Sequence, residues 1–216
     1  MRRRLLLQSA LALPALNTAA WAQGSTWPTQ PITIIVPFAP GGGSDLVAQA
    51  IAPRMQSALG QRVNIEHRPG RSGATGAIQA KNAAPDGHTL VIGQTGVWAI
   101  NHLLTPNVGY DPIADYTAIT IANALPNVLA INPQQTDVED LIALMMWLKR
   151  PGFRAKYASA GVGTADHLAM ELFKQSLRVE MEHVPQNGAG PSIAAVVAGT
   201  EVQLAFVALG TAAAPI

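Results

Sequence analysis

The 216-residue chain contains no cysteine, and its 14 Lys and Arg are nearly balanced by 13 Asp and Glu. That excludes disulfides, thiol nucleophiles and cysteine metal sites, and it offers no basic face for nucleic acid. Hydrophobic residues make up 49% of the chain and aromatics only 5%, so the core must be built from Ala, Val, Leu and Ile.

Chain order begins with a leader. Arg2, Arg3 and Arg4 precede residues 5–16, which are apolar apart from Gln8 and Ser9. Ala20 and Ala22 flank Trp21 as the small residues of a cleavage site. This is the layout of a secretory signal peptide, and the apolar stretch is too short to span a bilayer. Residues 1–22 are therefore expected to be removed on export by general secretion. Three of the basic residues lie in that segment, so the mature chain would be slightly acidic. No later apolar run reaches membrane-spanning length.

The remainder alternates strand-like and helix-like segments. Residues 32–36 are an apolar, β-branched run that reads as a buried strand. Pro40-Gly41-Gly42-Gly43 breaks it, and Ser44 or Asp45 can cap a helix that runs to Leu59 and stops at Gly60. Pro53 inside that helix is expected to kink it. A short strand over 63–66, a turn at Arg68-Pro69-Gly70 and a small-residue helix over 73–83 follow. Pro85-Asp86-Gly87 turns the chain into a strand over 89–93. A short helix is expected over 98–104, and strands over 117–122 and 128–131. Thr136 and Glu139 have the spacing of a capping box for a helix through Leu148. Strands over 156–159, 179–184 and 202–207 alternate with helices over 164–177 and 192–198. The pattern is βαβ: mostly parallel sheets with helices on their faces. A soft division near residues 122–127 suggests two α/β lobes, 23–124 and 125–216.

Chemistry should gather at strand-to-helix junctions, where helix N-termini expose unpaired backbone N–H groups. Four junctions are rich in Gly, Ser or Thr. They are Pro37-Phe38-Ala39-Pro40-Gly41-Gly42-Gly43-Ser44-Asp45, Gly93-Gln94-Thr95-Gly96, Ser159-Ala160-Gly161-Val162-Gly163-Thr164 and Pro185-Gln186-Asn187-Gly188-Ala189-Gly190. Such loops suit a small organic anion without Lys or Arg. Glycine is also what ordinary turns need, so each loop taken alone reads equally well as a plain turn.

Other chemistries fit less well. No Lys follows Gly43 as a P-loop requires, and Gly161-x-Gly163 lacks the third glycine of the dinucleotide fingerprint. No G-x-S-x-G elbow is present. Asp166 cannot orient its neighbour His167 from an adjacent helical position, and His167 is expected to bond a nearby loop instead. The five histidines are scattered without metal-ligand spacing. No cofactor, metal site or catalytic residue is expected.

Taken as a set, the loops resemble those of the Bug receptors, the periplasmic solute-binding proteins of tripartite tricarboxylate transporters. The resemblance runs from Pro31-Ile32 through Pro40-Gly41-Gly42-Gly43-Ser44-Asp45, Glu66-His67-Arg68-Pro69-Gly70 and Ala84-Pro85-Asp86-Gly87-His88. It continues through Tyr110-Asp111-Pro112, Tyr157-Ala158-Ser159-Ala160-Gly161, His167-Leu168-Ala169-Met170-Glu171 and His183-Val184-Pro185. It implies a two-lobed, type II-like binding protein of the α/β class that closes around a carboxylate-bearing solute. That solute would be a di- or tricarboxylate, an amino acid or an aromatic acid. It further implies a periplasmic monomer working with a two-component membrane permease.

Carried over by motif position, Phe38, Pro40, Gly41, Gly42, Gly43, Ser44, Asp45 and Thr95 would line the first lobe's side of the site. Ser159, Gly161, Thr164, Gln186, Asn187 and Gly188 would line the second. Ser44 and Ser159 are the foremost candidate donors; Asp45 and Thr164 sit at helix starts and read equally well as caps. Gln186-Asn187 stands where the family has a Tyr-Lys pair, and Val207 where it has an Asp. Relatives of that family also continue well beyond residue 216 and return to the first lobe, so the first lobe is expected to be incomplete. The alternatives are a non-functional receptor remnant and a secreted α/β hydrolase using Ser159 or Ser44.

Overall fold

The computed structural model describes residues 27–213; the leader expected over 1–22 lies outside them. Strand β1 (Ile32–Val36) is the centre of a three-stranded parallel sheet, between β2 (Val63–His67) and β3 (Thr89–Val91). Its run of Ile and Val needs apolar cover on both faces. Helix α1 (Gly43–Leu59) supplies one cover, with Ala48 and Ala52 against Ile34 and Val36. Each buried Ile or Val side chain contributes about 1.5–3 kcal/mol. The helix runs through Pro53 without a break and ends at Gly60, whose left-handed φ of 66° suits the C-terminal turn. A 3-10 turn (Arg71–Gly73) leads into α2 (Ala74–Lys81). Ala74 and Ala77 pack with Phe38, Val97 and Tyr110 in a second apolar cluster.

The expected helix over 98–104 forms as a π turn (Gly96–Ile100) followed by α3 (Asn101–Leu104). Residues 117–122 form no strand. Their alternation is strand-like, but a strand requires a ladder partner for its N–H and C=O groups. None of the described residues pairs with them, and Ile119 and Ile121 stand 76% and 86% exposed.

The second sheet has the order β4-β7-β5-β6, built from β4 (Asn127–Ile131), β5 (Ala155–Ser159), β6 (Met181–Pro185) and β7 (Leu204–Ala208). β5 runs parallel to both β6 and β7, whereas β4 is an antiparallel edge strand on β7. The capping box expected at Thr136 and Glu139 is not used. Asn132 accepts from Gln134 N–H and Pro133 occupies N1, so a separate short helix, α4 (Pro133–Thr136), ends at Thr136. Helix α5 (Leu141–Leu148) starts after Asp140, whose carboxylate accepts from Ala143 N–H at 2.7 Å. Helix α6 (Ala165–Leu177) is capped by Thr164. Helix α7 (Ala189–Ala198) begins three residues earlier than expected, because Pro191 is tolerated in a first turn that needs no N–H. α8 (Leu209–Ala212) completes the order. Tyr157, Met170 and Leu204 anchor one core on this sheet, and Ala158, Val196 and Val202 the other. Among the described residues no helix is long and apolar enough to cross a membrane.

Candidate functional site

The four glycine-rich loops leave the carboxyl ends of β1, β3, β5 and β6. They meet in pairs across the seam between the two sheets. Ala39 N–H donates to the Asn187 carbonyl at 2.9 Å. A Cβ on Gly190 would lie 2.3 Å from the Pro40 carbonyl oxygen, and one on Gly188 would lie 3.0 Å from Ala39 N. A Cβ on Gly96 would lie 3.0 Å from Gly163 O, and one on Gly161 would lie 2.9 Å from Ser72 Oγ. These glycines therefore do more than turn the chain: they let backbone from one lobe approach backbone from the other.

Two helices begin at this seam without a side-chain cap. The N-cap of α1 is Gly42 and that of α7 is Gly188, and neither first turn receives a side-chain hydrogen bond. A Cβ on Gly42 would sit 3.7 Å from Ala189 N, so the two helix starts converge. Uncapped first turns leave several N–H groups open, and the positive ends of both helix dipoles favour negative charge there. By contrast α5 and α6 are closed by Asp140 and Thr164.

The side chains sort into those that hold the loops and those that remain near the seam. Asp45 is 1% exposed. Its Oδ2 accepts from Gly41 N–H at 2.8 Å and from Gln49 at 2.9 Å, and its Oδ1 lies 2.7 Å from His67 Nε2. Burial alone would raise its pKa, but the Gly41 N–H, His67 and Gln49 bring it below the usual 3.8. Asp45 thus braces the first loop from beneath. Thr164 does the same for the third loop: its hydroxyl donates to Gly161 O at 2.7 Å and accepts from His167 N–H at 3.4 Å. Phe38 is 2% exposed and packs in the first-lobe core. Pro40, Gly41 and Thr95 are exposed, Gly42, Gly43, Ser44, Gly161 and Gly188 are buried, Gln186 is half-buried and Asn187 exposed. The Gln186 N–H donates to Ser159 O at 2.9 Å, which ties the third and fourth loops together.

Ser159 is fully buried, and its Oγ lies 2.7 Å from His183 Nε2 and 3.2 Å from both the N and O of Gly161. The His183 ring stacks against Tyr157 and His167, with centroids 4.8 Å and 4.3 Å away. Burial, with His167 second, pushes the His183 pKa down to about 4. His167 Nδ1 accepts from Gly163 N–H at 3.3 Å, the loop contact expected from the sequence. Glu171 takes hydrogen bonds from the Tyr157 hydroxyl and from Lys174. Asp166, 4% exposed, accepts from Asn127 Nδ2 at 3.2 Å, and burial pushes its carboxyl up to about 6.

Sequence reasoning missed His67, His183, Ser72 and Asn101. Ser72 has a left-handed φ of 53° and sits against Gly161, while Asn101 holds the Ser72 carbonyl at 3.0 Å. The flanking Gly70 and Gly73 were the available signal for a tight, seam-facing turn. An aliphatic groove of about 550 Å³ lies elsewhere, between β4, α7 and α8. It is lined largely by side chains such as Val128, Ile131, Val196 and Leu209 and lies apart from the four loops. No cluster of His, Asp or Glu suited to a metal occurs among the described residues.

Residues 47–216 match the tripartite tricarboxylate transporter family receptor, TctC. A UPF0065 protein of Pseudomonas sp. is 35% identical over 198 residues, covering 92% of this chain and 58% of the relative. BugT of Bordetella pertussis is 31% identical, covering 91% of this chain and 60% of BugT. An R. palustris protein solved with adipate superposes with a TM-score of 0.82 at 32% identity, covering 88% of this chain and 62% of that one. MatC from Rhodopseudomonas palustris, solved with bound malate, gives 0.78 at 32% identity, covering 86% and 63%. The chain spans about three-fifths of the length of these relatives. Its loops, its two α/β lobes and this match over most of its length place the chain in the tripartite tricarboxylate transporter receptor family, alongside the Bug proteins.

Proposed function

We propose that this protein is a periplasmic receptor that captures a small organic carboxylate between lobes 23–124 and 125–216. Capture would serve delivery to a two-component membrane permease. The observation that carries the reading is the convergence of two helix N-termini, α1 at Gly42 and α7 at Gly188, neither with a side-chain cap. Open N–H groups and aligned dipoles satisfy a carboxylate without a salt bridge. Ser44, in the first turn of α1, adds a hydroxyl donor there, Ser159 offers another at the end of β5, and Asp45 and Thr164 hold the loops in shape. Bound adipate and malate in two structurally similar proteins support the ligand class. The test is titration calorimetry of the purified chain against adipate, malate and a panel of mono- and dicarboxylates. Saturable one-to-one heat with at least one acid is expected; folded protein that gives no heat with any of them refutes the reading.

One observation favours a second reading, a hydrolase. Ser159 and His183 stand at the 2.7 Å of a nucleophile and its base. Yet no carboxylate pairs with His183 among the described residues, and its ring packs against Tyr157 and His167. Ester hydrolysis lost in Ser159→Ala would restore that reading.

A further inference from the structure

The Ser159–His183 pair has a defined geometry that the carboxylate reading leaves unused. In the parallel register Tyr157 lies opposite His183, and Ser159 opposite Pro185. Alternate residues share a face of the sheet, so Tyr157, Ser159 and His183 project together. The His183 ring is nearly parallel to both stacking neighbours, 14° from Tyr157 and 30° from His167. Its orientation is therefore set by Tyr157 on the sheet and by His167 on α6. The groups packed around it are Tyr157 on β5 and His167, Glu171 and Lys174 on α6. Two stacked imidazoles disfavour a second positive charge, and burial keeps His183 neutral at neutral pH.

A neutral imidazole carries one N–H, and a serine hydroxyl carries one proton. If His183 holds its proton on Nδ1, the Ser159 hydroxyl must donate to Nε2 and has nothing left for a ligand. If the proton is on Nε2, the imidazole donates to Ser159 Oγ and the hydroxyl proton is free. Its internal alternative is Gly161 O, 3.2 Å away. That oxygen already accepts from the Thr164 hydroxyl at 2.7 Å and from Thr164 N–H at 3.3 Å, so its two lone pairs are occupied. The Gly161 N–H meanwhile donates to Ser159 Oγ. Two donors into one hydroxyl oxygen polarise its O–H toward a further acceptor.

We propose that His183 is a positioning residue: its Nε2–H donates to Ser159 Oγ and directs the Ser159 hydroxyl proton toward a carboxylate held at the seam. The identity of that acceptor rests on the receptor reading above; the direction of the His183–Ser159 hydrogen bond does not.

The experiment has two arms. Nitrogen NMR of the ¹⁵N-histidine-labelled full chain at neutral pH reads the tautomer, with Ser159→Ala used to assign His183. A protonated Nε2 and a bare Nδ1 are expected; the reverse overturns the proposal whether or not any acid binds. The second arm is calorimetry with adipate and malate. His183→Gln, whose amide N–H reaches the same place, should keep affinity within about threefold. His183→Met, which fills the space without a donor, should lose on the order of tenfold. In the Ser159→Ala background His183→Met should cost nothing further, whereas an equal loss in both backgrounds overturns the coupling. A wild-type chain that binds neither acid counts against the receptor reading at those ligands, and the NMR arm still decides the proposal.

Discussion

Replacing Asp166 by Asn is expected to stabilise the protein at neutral pH. Asp166 occupies the second position of α6, 4% exposed, with Asn127 Nδ2 on Oδ1 at 3.2 Å. Burial raises its carboxyl from 3.8 to about 6 despite the opposing N–H groups of Asn127 and Ala160. A shift of that size costs roughly 3 kcal/mol once the group is ionised in both states. Because the folded pKa is the higher one, the contribution of Asp166 is most favourable below pH 3.8 and is lost as pH rises through 6. Asn keeps an acceptor for Asn127 and removes the charge. It also forfeits about 0.3–1 kcal/mol of helix-dipole attraction and is a weaker acceptor than a carboxylate. The net gain at pH 7.5 is then about 1–2 kcal/mol, or roughly 2–8 °C in melting temperature for a chain of this size. Urea denaturation of both proteins from pH 7.5 to pH 4 reads it. The advantage should shrink with acidification and vanish near pH 4. No gain at pH 7.5, or a difference that does not change with pH, refutes the reasoning.

Gly190→Ala places a methyl group 2.3 Å from the Pro40 carbonyl oxygen. It should cost about 1–3 kcal/mol and separate the lobes, visible as a larger radius of gyration in small-angle scattering. Gly60→Ala, at a φ of 66° with nothing within 4 Å, should cost about 1 kcal/mol and leave the radius unchanged; equal radii for the two variants would sink this account of the seam. Asp140→Ala should cost about 1 kcal/mol by removing the cap of α5, whereas Glu139→Ala should be neutral. The opposite ranking in urea midpoints would return the cap to the Thr136–Glu139 box.

Much of the fold was legible because local chemistry is periodic. The Ile-Thr-Ile-Ile-Val run fits only a covered strand, and the glycine clusters mark strand ends. The misreadings arose where a partner distant in sequence decides. Residues 117–122 have a strand's alternation, but alternation does not supply a ladder. Thr136 and Glu139 have a capping box's spacing, but Asn132 and Pro133 form a competing turn first. The candidate site was half legible. The loops could be named from composition, but that Asp45 and Thr164 spend their oxygens bracing the loops follows only from where Gly41, His67 and Gly161 lie.

What the sequence by itself determined is the alternation of β and α, the family to which the loops point, and which loops lie at strand ends. Only the tertiary structure decided that β4 pairs antiparallel with β7 at the sheet's edge, and that glycines 96, 188 and 190 are required by the other lobe's backbone. It also decided that Ser159 rests on an imidazole 24 residues away. The reason is range. Propensity, capping and turn chemistry act over a few residues, whereas sheet register and the contact between lobes bring together groups whose separation in sequence carries no local signal.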